Sequence, residues 1–280
     1  MAIINSQNNF RVQQWAKLKD KTHRNKQKLF MVEGYHLVAE AHKAGNLKEI
    51  ITTEKSITTE DNASFDVTTY QVTYDVMEKL TSLATPTKIM GICTMMNEAS
   101  YHNNYEKAPH SNAPLEEPSH GSNMPGTPYG NSILLVDQIH HPGNLGTIIR
   151  SAVAFGVDTI VISNSVDIYN QKVIQATQGM IFHINILKRP LGEFIMALKS
   201  QGYQIIGTDV KECTSLAAVK AKAKRAVLVG NEGDGLSREL LDICDVRVNI
   251  EMNEKCESLN VGVATSIVLY CLSKSPTLSK

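Results

Sequence analysis

Apolar and polar positions along this chain fall into short runs whose rhythm switches between helical and extended spacing. Before residue 97, Val12 to Asp20 carries apolar side chains at helical intervals, and the segment Lys26 to Glu33 ends in the apolar run Leu29-Phe-Met-Val. Tyr35 to Ala44 is predicted as a helix stopped by Gly45, Leu47 to Thr52 as a strand, Tyr74 to Leu83 as a helix opened near Thr73, and Ile89 to Met95 as a strand. After residue 131 the pattern predicts strands at Ile133 to Asp137, Thr159 to Ile162, Gln204 to Thr208, Ala226 to Val229 and Val246 to Asn249. Helices are expected from about Thr147 to Phe155, closed by Gly156, and near Gln171 to Thr177. Two more are expected over Leu191 to Gln201 and Leu259 to Leu272, and Ile181 to Leu187 is a further apolar run. Strands alternating with helices predict an α/β fold whose larger part is a parallel sheet covered by helices on both faces, preceded by a smaller α/β domain.

Between about Asn97 and Asn131 this rhythm stops. Pro109, Pro114, Pro118, Pro125 and Pro128 stand among Asn, Ser, His and Gly with few aliphatic residues. Such a stretch buries too little apolar surface to offset its chain entropy, so it reads as a flexible linker. Its histidines, His102, His110 and His120, are irregularly spaced, which favours solvated linker over a metal site. The expected domains are therefore 1–96 and 132–280, joined by the linker 97–131.

With 28 basic and 28 acidic residues the chain is formally neutral, but residues 1 to 30 hold seven cations against Asp20 alone. Lys17, Lys19, Lys21, Arg24 and Lys26 belong to this basic front and are the candidate contacts to a polyanion. Five cysteines without a short repeated spacing argue against a disulfide framework and against a zinc site, so no metal is expected. Without a membrane-length apolar run, and with Met1-Ala-Ile-Ile-Asn unlike a signal peptide, a cytoplasmic location is expected.

Three polar segments punctuate the second half: His141-Pro-Gly-Asn-Leu-Gly-Thr-Ile-Ile-Arg150, Gly230-Asn-Glu-Gly-Asp-Gly-Leu-Ser237 and Glu257-Ser-Leu-Asn-Val-Gly-Val-Ala264. The second directly follows a buried-looking strand, so its amides emerge at a carboxyl strand end, where sheets of this class bind ligands. Taken alone it is equally a tight turn, and its Gly-x-x-Gly-x-Gly order is not the dinucleotide fingerprint, which makes a nicotinamide enzyme a weak reading. Asn144 and Arg150 lie six positions apart across a helix entry, with the guanidinium able to turn back toward the amide; a structural ion pair to Glu232 or Asp137 is the alternative for Arg150. Ser258 and Asn260 stand at a helix start, where both residue types are ordinary caps.

Together, in this order and separation, the three segments resemble the signature of the SpoU or TrmH-like RNA ribose 2′-O-methyltransferases of the SPOUT superfamily. Asn144 and Arg150 match its first motif, Gly230, Glu232 and Gly235 its second, and Ser258 and Asn260 its third. At the front, Leu18-Lys-Asp-Lys-Thr-His-Arg and Phe30-Met-Val-Glu-Gly34 resemble the L30e-like substrate-binding domain common in that family. The resemblance implies a deep trefoil knot, S-adenosylmethionine as cofactor, a homodimer, and methyl transfer to a ribose 2′-hydroxyl of structured RNA, ribosomal ahead of transfer RNA. It implies Arg150, Asn144, Glu232, Ser258 and Asn260 as the catalytic group. Thr208, Gly230, Asn231, Gly235, Ile250, Met252, Ser258, Leu259 and Asn260 would hold the cofactor. Two departures stand out: His141, preceded by His140, replaces a usual Asp, and Glu251 replaces the Pro of a usual Ile-Pro-Met. They keep a second reading open, an RNA-binding or ribosome-assembly factor with the same fold and little catalysis.

Overall fold

The structure is a computed structural model that describes residues 3–55, 57, 65–96, 129–210 and 213–274. Most of the expected linker, residues 97–128, lies outside the described residues, as do its five prolines and three histidines. The chain divides into two compact units, and the division does not run linearly: 141–150 and 166–183 cluster with residues 1–96, and the rest forms the second unit.

The first unit is built on a four-stranded sheet in the order β1-β4-β2-β3, with strands Leu29–Glu33 (β1), Leu47–Thr52 (β2), Thr68–Gln71 (β3) and Ile89–Thr94 (β4). β4 is antiparallel to both β1 and β2, and β2 runs parallel to β3. Helices Phe10–Lys17 (α1), Lys21–Gln27 (α2), Tyr35–Lys43 (α3) and Tyr74–Leu80 (α4) accompany it. One core cluster gathers Val12, Trp15, Met31, Ile51, Met77 and Ile92 in burial. α2 has no apolar stripe and is absent from the sequence expectation; local chemistry makes it instead. Asp20 accepts a hydrogen bond from the His23 amide at 2.9 Å as N-cap, and Lys28 closes the helix in the left-handed region at φ 55°.

The second unit contains a seven-stranded sheet in the order β7-β6-β5-β10-β8-β11-β9, parallel at every pairing. Its strands are Ser132–Asp137 (β5), Thr159–Ser163 (β6), Asn185–Lys188 (β7), Gln204–Thr208 (β8), Thr214–Ser215 (β9), Arg225–Val229 (β10) and Val246–Asn249 (β11). Helices Pro142–Ala154 (α5), Gln171–Thr177 (α6), Leu191–Ser200 (α7), Arg238–Asp242 (α8) and Val261–Lys274 (α9) connect or close them, α6 and the first nine residues of α5 belonging to the first unit. β5 is buried along its whole length, as expected of a central parallel strand covered on both faces. From β5 the chain moves outward to β6 and β7, whereas β10 leads the other way toward β11, so the strand order reverses between β5 and β10.

One expectation needs correcting. α5 begins at Pro142 rather than near Thr147, because a proline suits the first helical turn and the amides of Asn144 and Leu145 bond back to the His141 carbonyl. The Asn-Leu-Gly segment is therefore helix, not loop. The apolar run Ile181 to Leu187 is split between a 3-10 turn, Met180–His183, and β7.

Candidate active site

In an open parallel sheet, ligands bind beyond the carboxyl ends of the strands where the order reverses. The loops after β5 and β10 meet at that place. Asn231 Nδ2 donates to the Gln138 carbonyl at 3.0 Å, and the His140 amide donates to Glu232 Oε2 at 3.4 Å. Gln138 itself sits in the left-handed region at φ 54°, a turn that leaves no compositional trace and was missed in the sequence.

The 230–235 segment folds back on itself. Asn231 and Gly235 exchange backbone hydrogen bonds of 3.0 and 3.1 Å, while Asn231 Oδ1 accepts from the Gly233 and Asp234 amides. A Cβ on Gly230 would lie 2.4 Å from the Gly235 carbonyl oxygen, and Gly235 takes φ 69°, so both positions require glycine. Beside this turn, Thr208 ends β8 with its hydroxyl donating to the Leu228 carbonyl at 3.2 Å, and Ile250 follows the end of β11, whose Val248 pairs with Thr208. Thr208, Gly230, Asn231, Gly235 and Ile250 are thus brought to one end of four adjacent strands, and the exposed Glu232 shares it. Burial pushes the carboxyl of Asp137, the last residue of β5, above the ordinary carboxylate range, opposed by the Gln138 amide and by His140.

Asn260 caps α9, its Oδ1 accepting from the amides of Gly262 at 2.9 Å and Val263 at 3.3 Å. Ser258 is exposed in the segment before it, and its carbonyl accepts from Cys256 Sγ at 3.3 Å; Met252 and Leu259 are half-buried and Glu251 exposed. α9 is tied to α5 by a 2.7 Å hydrogen bond between the hydroxyls of Ser266 and Ser151.

Asn144 and Arg150 both lie on α5, six residues apart. That separation is about 9 Å of rise and about 120° around the axis, so they do not share a helix face. Arg150 is exposed and, among the described residues, takes part in no ion pair. His141 is exposed at the helix entry. Gly146 serves packing: a Cβ there would lie 2.4 Å from Ala176 Cβ and 2.8 Å from the Val173 carbonyl oxygen, so α5 and α6 touch backbone to backbone.

The basic front divides. Lys17, Lys21 and Lys26 are exposed. Lys19 Nζ is held by the carbonyls of Lys79 at 2.9 Å and Thr81 at 2.8 Å, at the end of α4. Arg24 is only 4% exposed; its guanidinium donates to the Leu18 and Lys19 carbonyls and pairs with Asp167 at 2.6 Å. Arg24 is therefore a residue of the fold and not a phosphate contact, because a buried guanidinium whose terminal nitrogens are taken by Asp167 and two carbonyls, and whose Nε is itself shut away from solvent, has no access to a polyanion.

Residues 131–270 match the SpoU rRNA Methylase family, and residues 9–91 match the MRM3-like substrate binding domain. The chain belongs to the SpoU rRNA methylase family. Among its relatives, the 23S rRNA (guanosine(2553)-2′-O)-methyltransferase RlmP of Bacillus subtilis is 31% identical over 97% of this chain and 99% of its own length. A crystal structure of an RNA 2′-O ribose methyltransferase shares 25% identity with a TM-score of 0.76, covering 96% of this chain and 97% of that one. An S-adenosylmethionine-bound rRNA methyltransferase from Sinorhizobium meliloti has the same fold, with a TM-score of 0.77 at 24% identity and 96% coverage of both chains. The two matched stretches fall one on each sheet.

Proposed function

We propose that this SpoU family member is an enzyme that transfers the methyl group of S-adenosylmethionine to a ribose 2′-hydroxyl of ribosomal RNA. The observation that carries the reading is the meeting of the 138–140 and 230–235 loops where the parallel sheet reverses, in a chain that matches a 23S rRNA 2′-O-methyltransferase over nearly its full length.

The residues at the strand ends fit the cofactor's chemistry. Half-buried Ile250, Met252 and Leu259 offer apolar contact to an adenine, while Thr208, Asn231, Ser258, Asn260 and the backbone of Gly230 and Gly235 offer polar groups to a ribose and an amino-acid moiety. Bound there, S-adenosylmethionine supplies an electrophilic methyl group. Arg150 stabilises negative charge developing on the ribose oxygen and grips the neighbouring phosphate with its fork of donors. A guanidinium stays protonated, so water or another group takes the hydroxyl proton. Asn144, Glu232, Ser258 and Asn260 are assigned to orient the reacting ribose through hydrogen bonds. Gly230→Ala is expected to weaken S-adenosylmethionine binding about tenfold, since the added methyl meets backbone and opens the turn; isothermal titration measures it.

In this reading residues 1–96 form the RNA-binding domain, and 132–280 the catalytic domain with its trefoil knot. The protein acts in the cytoplasm, with no metal. A second copy packs on α9, where Val263 and Tyr270, seven residues apart on one face, are 47% and 52% exposed. Lys17, Lys21 and Lys26 contact phosphates. Replacing all three by alanine is expected to flatten the slope of log K against log salt by about two to three units, close to one per lost contact. An unchanged slope places the phosphate contacts elsewhere.

The deciding experiment maps 2′-O-methyl groups in ribosomal RNA from cells with and without the protein, and measures methyl incorporation by the purified chain. One nucleotide that loses its methyl group and regains it in vitro is the expected result. Tight RNA binding without incorporation favours the assembly-factor alternative.

A further inference from the structure

Among the described residues, β1 is the outer strand of the first unit's sheet, paired only with β4. In an antiparallel pair, alternate residues turn their carbonyls away from the partner, and on β1 these include Met31 and Glu33. An unpaired row of this kind attracts any other backbone that presents donors. Here the row is met by side chains. Gln171 Nε2 donates to the Met31 carbonyl at 2.8 Å and Gln175 Nε2 to the Glu33 carbonyl at 3.0 Å. The spacings agree, because residues two apart on a strand are separated by about 6.7 Å and residues four apart on a helix rise by about 6 Å. α6 thus stands in for the missing neighbouring strand.

The same segment is held along its length. Tyr169 Oη accepts from the Met96 amide at 3.0 Å, and its ring lies 4.8 Å from that of Phe30. His36 Nε2 meets the Gln178 carbonyl at 3.1 Å and His183 Nε2 meets Glu40 at 2.6 Å. On another face α6 touches α5 through Ala176, against the Cα of Gly146, and Gly146 lies between Asn144 and Arg150. Gln171 Oε1 is buried without a hydrogen-bond partner. A methionine of similar length would avoid that cost, so packing alone does not account for an amide at this position.

We propose that Gln171 and Gln175 are positioning residues for methyl transfer: they fix α6 against the edge of the substrate-binding sheet and, through the Gly146–Ala176 contact, fix the stretch of α5 that carries Asn144 and Arg150. The inference rests on the methyltransferase reading above. The test uses the full chain with Gln171→Met and Gln175→Met combined, an unmodified ribosomal RNA transcript, and saturating S-adenosylmethionine. The single-turnover rate is expected to fall at least tenfold, with RNA and S-adenosylmethionine affinities within about twofold. Gln175→Lys, which keeps a donor, should recover most of the loss that Gln175→Met causes alone. Gln175→Glu, which keeps the shape without the donor, should not. A folded double variant with an unchanged rate overturns the proposal. Hydrogen exchange gives a readout that does not need catalysis: the amides of 143–150 should exchange at least tenfold faster in the double variant. Unchanged exchange overturns the coupling even if the wild-type chain proves to transfer no methyl group, and that second failure would count against the enzyme reading alone.

Discussion

Replacing Arg150 by alanine is expected to slow methyl transfer by on the order of 10²–10³-fold, the usual loss when one oriented donor to a developing oxyanion is removed. S-adenosylmethionine affinity should stay within a few fold, because the assignment gives this guanidinium to RNA rather than to the cofactor. Its exposure, with no ion pair among the described residues, fits a side chain kept available for a substrate. Arg150→Lys retains the charge but not the planar fork, so its rate should fall between wild type and alanine. Single-turnover incorporation and isothermal titration on the same preparations separate the two effects. Lost cofactor binding in Arg150→Ala would mean that the side chain holds the methyl donor itself, and the roles given to motif one would have to be redrawn.

Arg24→Ala is expected to cost about 3–5 kcal/mol of stability, read from urea unfolding, because it leaves the Asp167 carboxylate buried without its partner. Against a typical domain stability of about 5–15 kcal/mol this is a severe loss. The carbonyls of Leu18 and Lys19 lose a donor as well. Replacing both members of the pair by apolar residues of similar size should restore much of the stability, since breaking such a pair costs more than removing it. A stable Arg24→Ala protein whose only defect is weaker RNA binding would show that the residue faces phosphate after all.

The contrast between Arg24 and Lys17 marks what sequence could and could not say. Both are cations in the same basic stretch, and composition treats them alike; only the fold brings Asp167, 143 residues away, onto one of them. The parallel sheet was legible mainly through the apolar runs of β5, β6 and β10, and Leu47–Thr52, Gln171–Thr177 and Gln204–Thr208 appear at the predicted bounds. α2 and the two-residue β9 were not, since one is polar on every side and the other too short to carry a period. Motif residues announced themselves by type and order, yet Gly146 and Gly230 have different tasks, one admitting a helix and the other closing a turn. Glycine composition cannot distinguish these. The glutamines of α6 gave no signal at all, because their partners are main-chain carbonyls, which every residue has.

The way β1 is covered bears on how this protein can be dissected. A fragment ending before residue 141 would strip the amides of Gln171 and Gln175 from the carbonyls of Met31 and Glu33 and bare Phe30, which otherwise lies beside Tyr169 and Phe182. Such a piece would be expected to recruit copies of itself along that naked border and come out of solution as concentration rises. Soluble preparations of the RNA-binding half should therefore be sought by grafting the 166–183 stretch back on, rather than by trimming at the proline-rich seam.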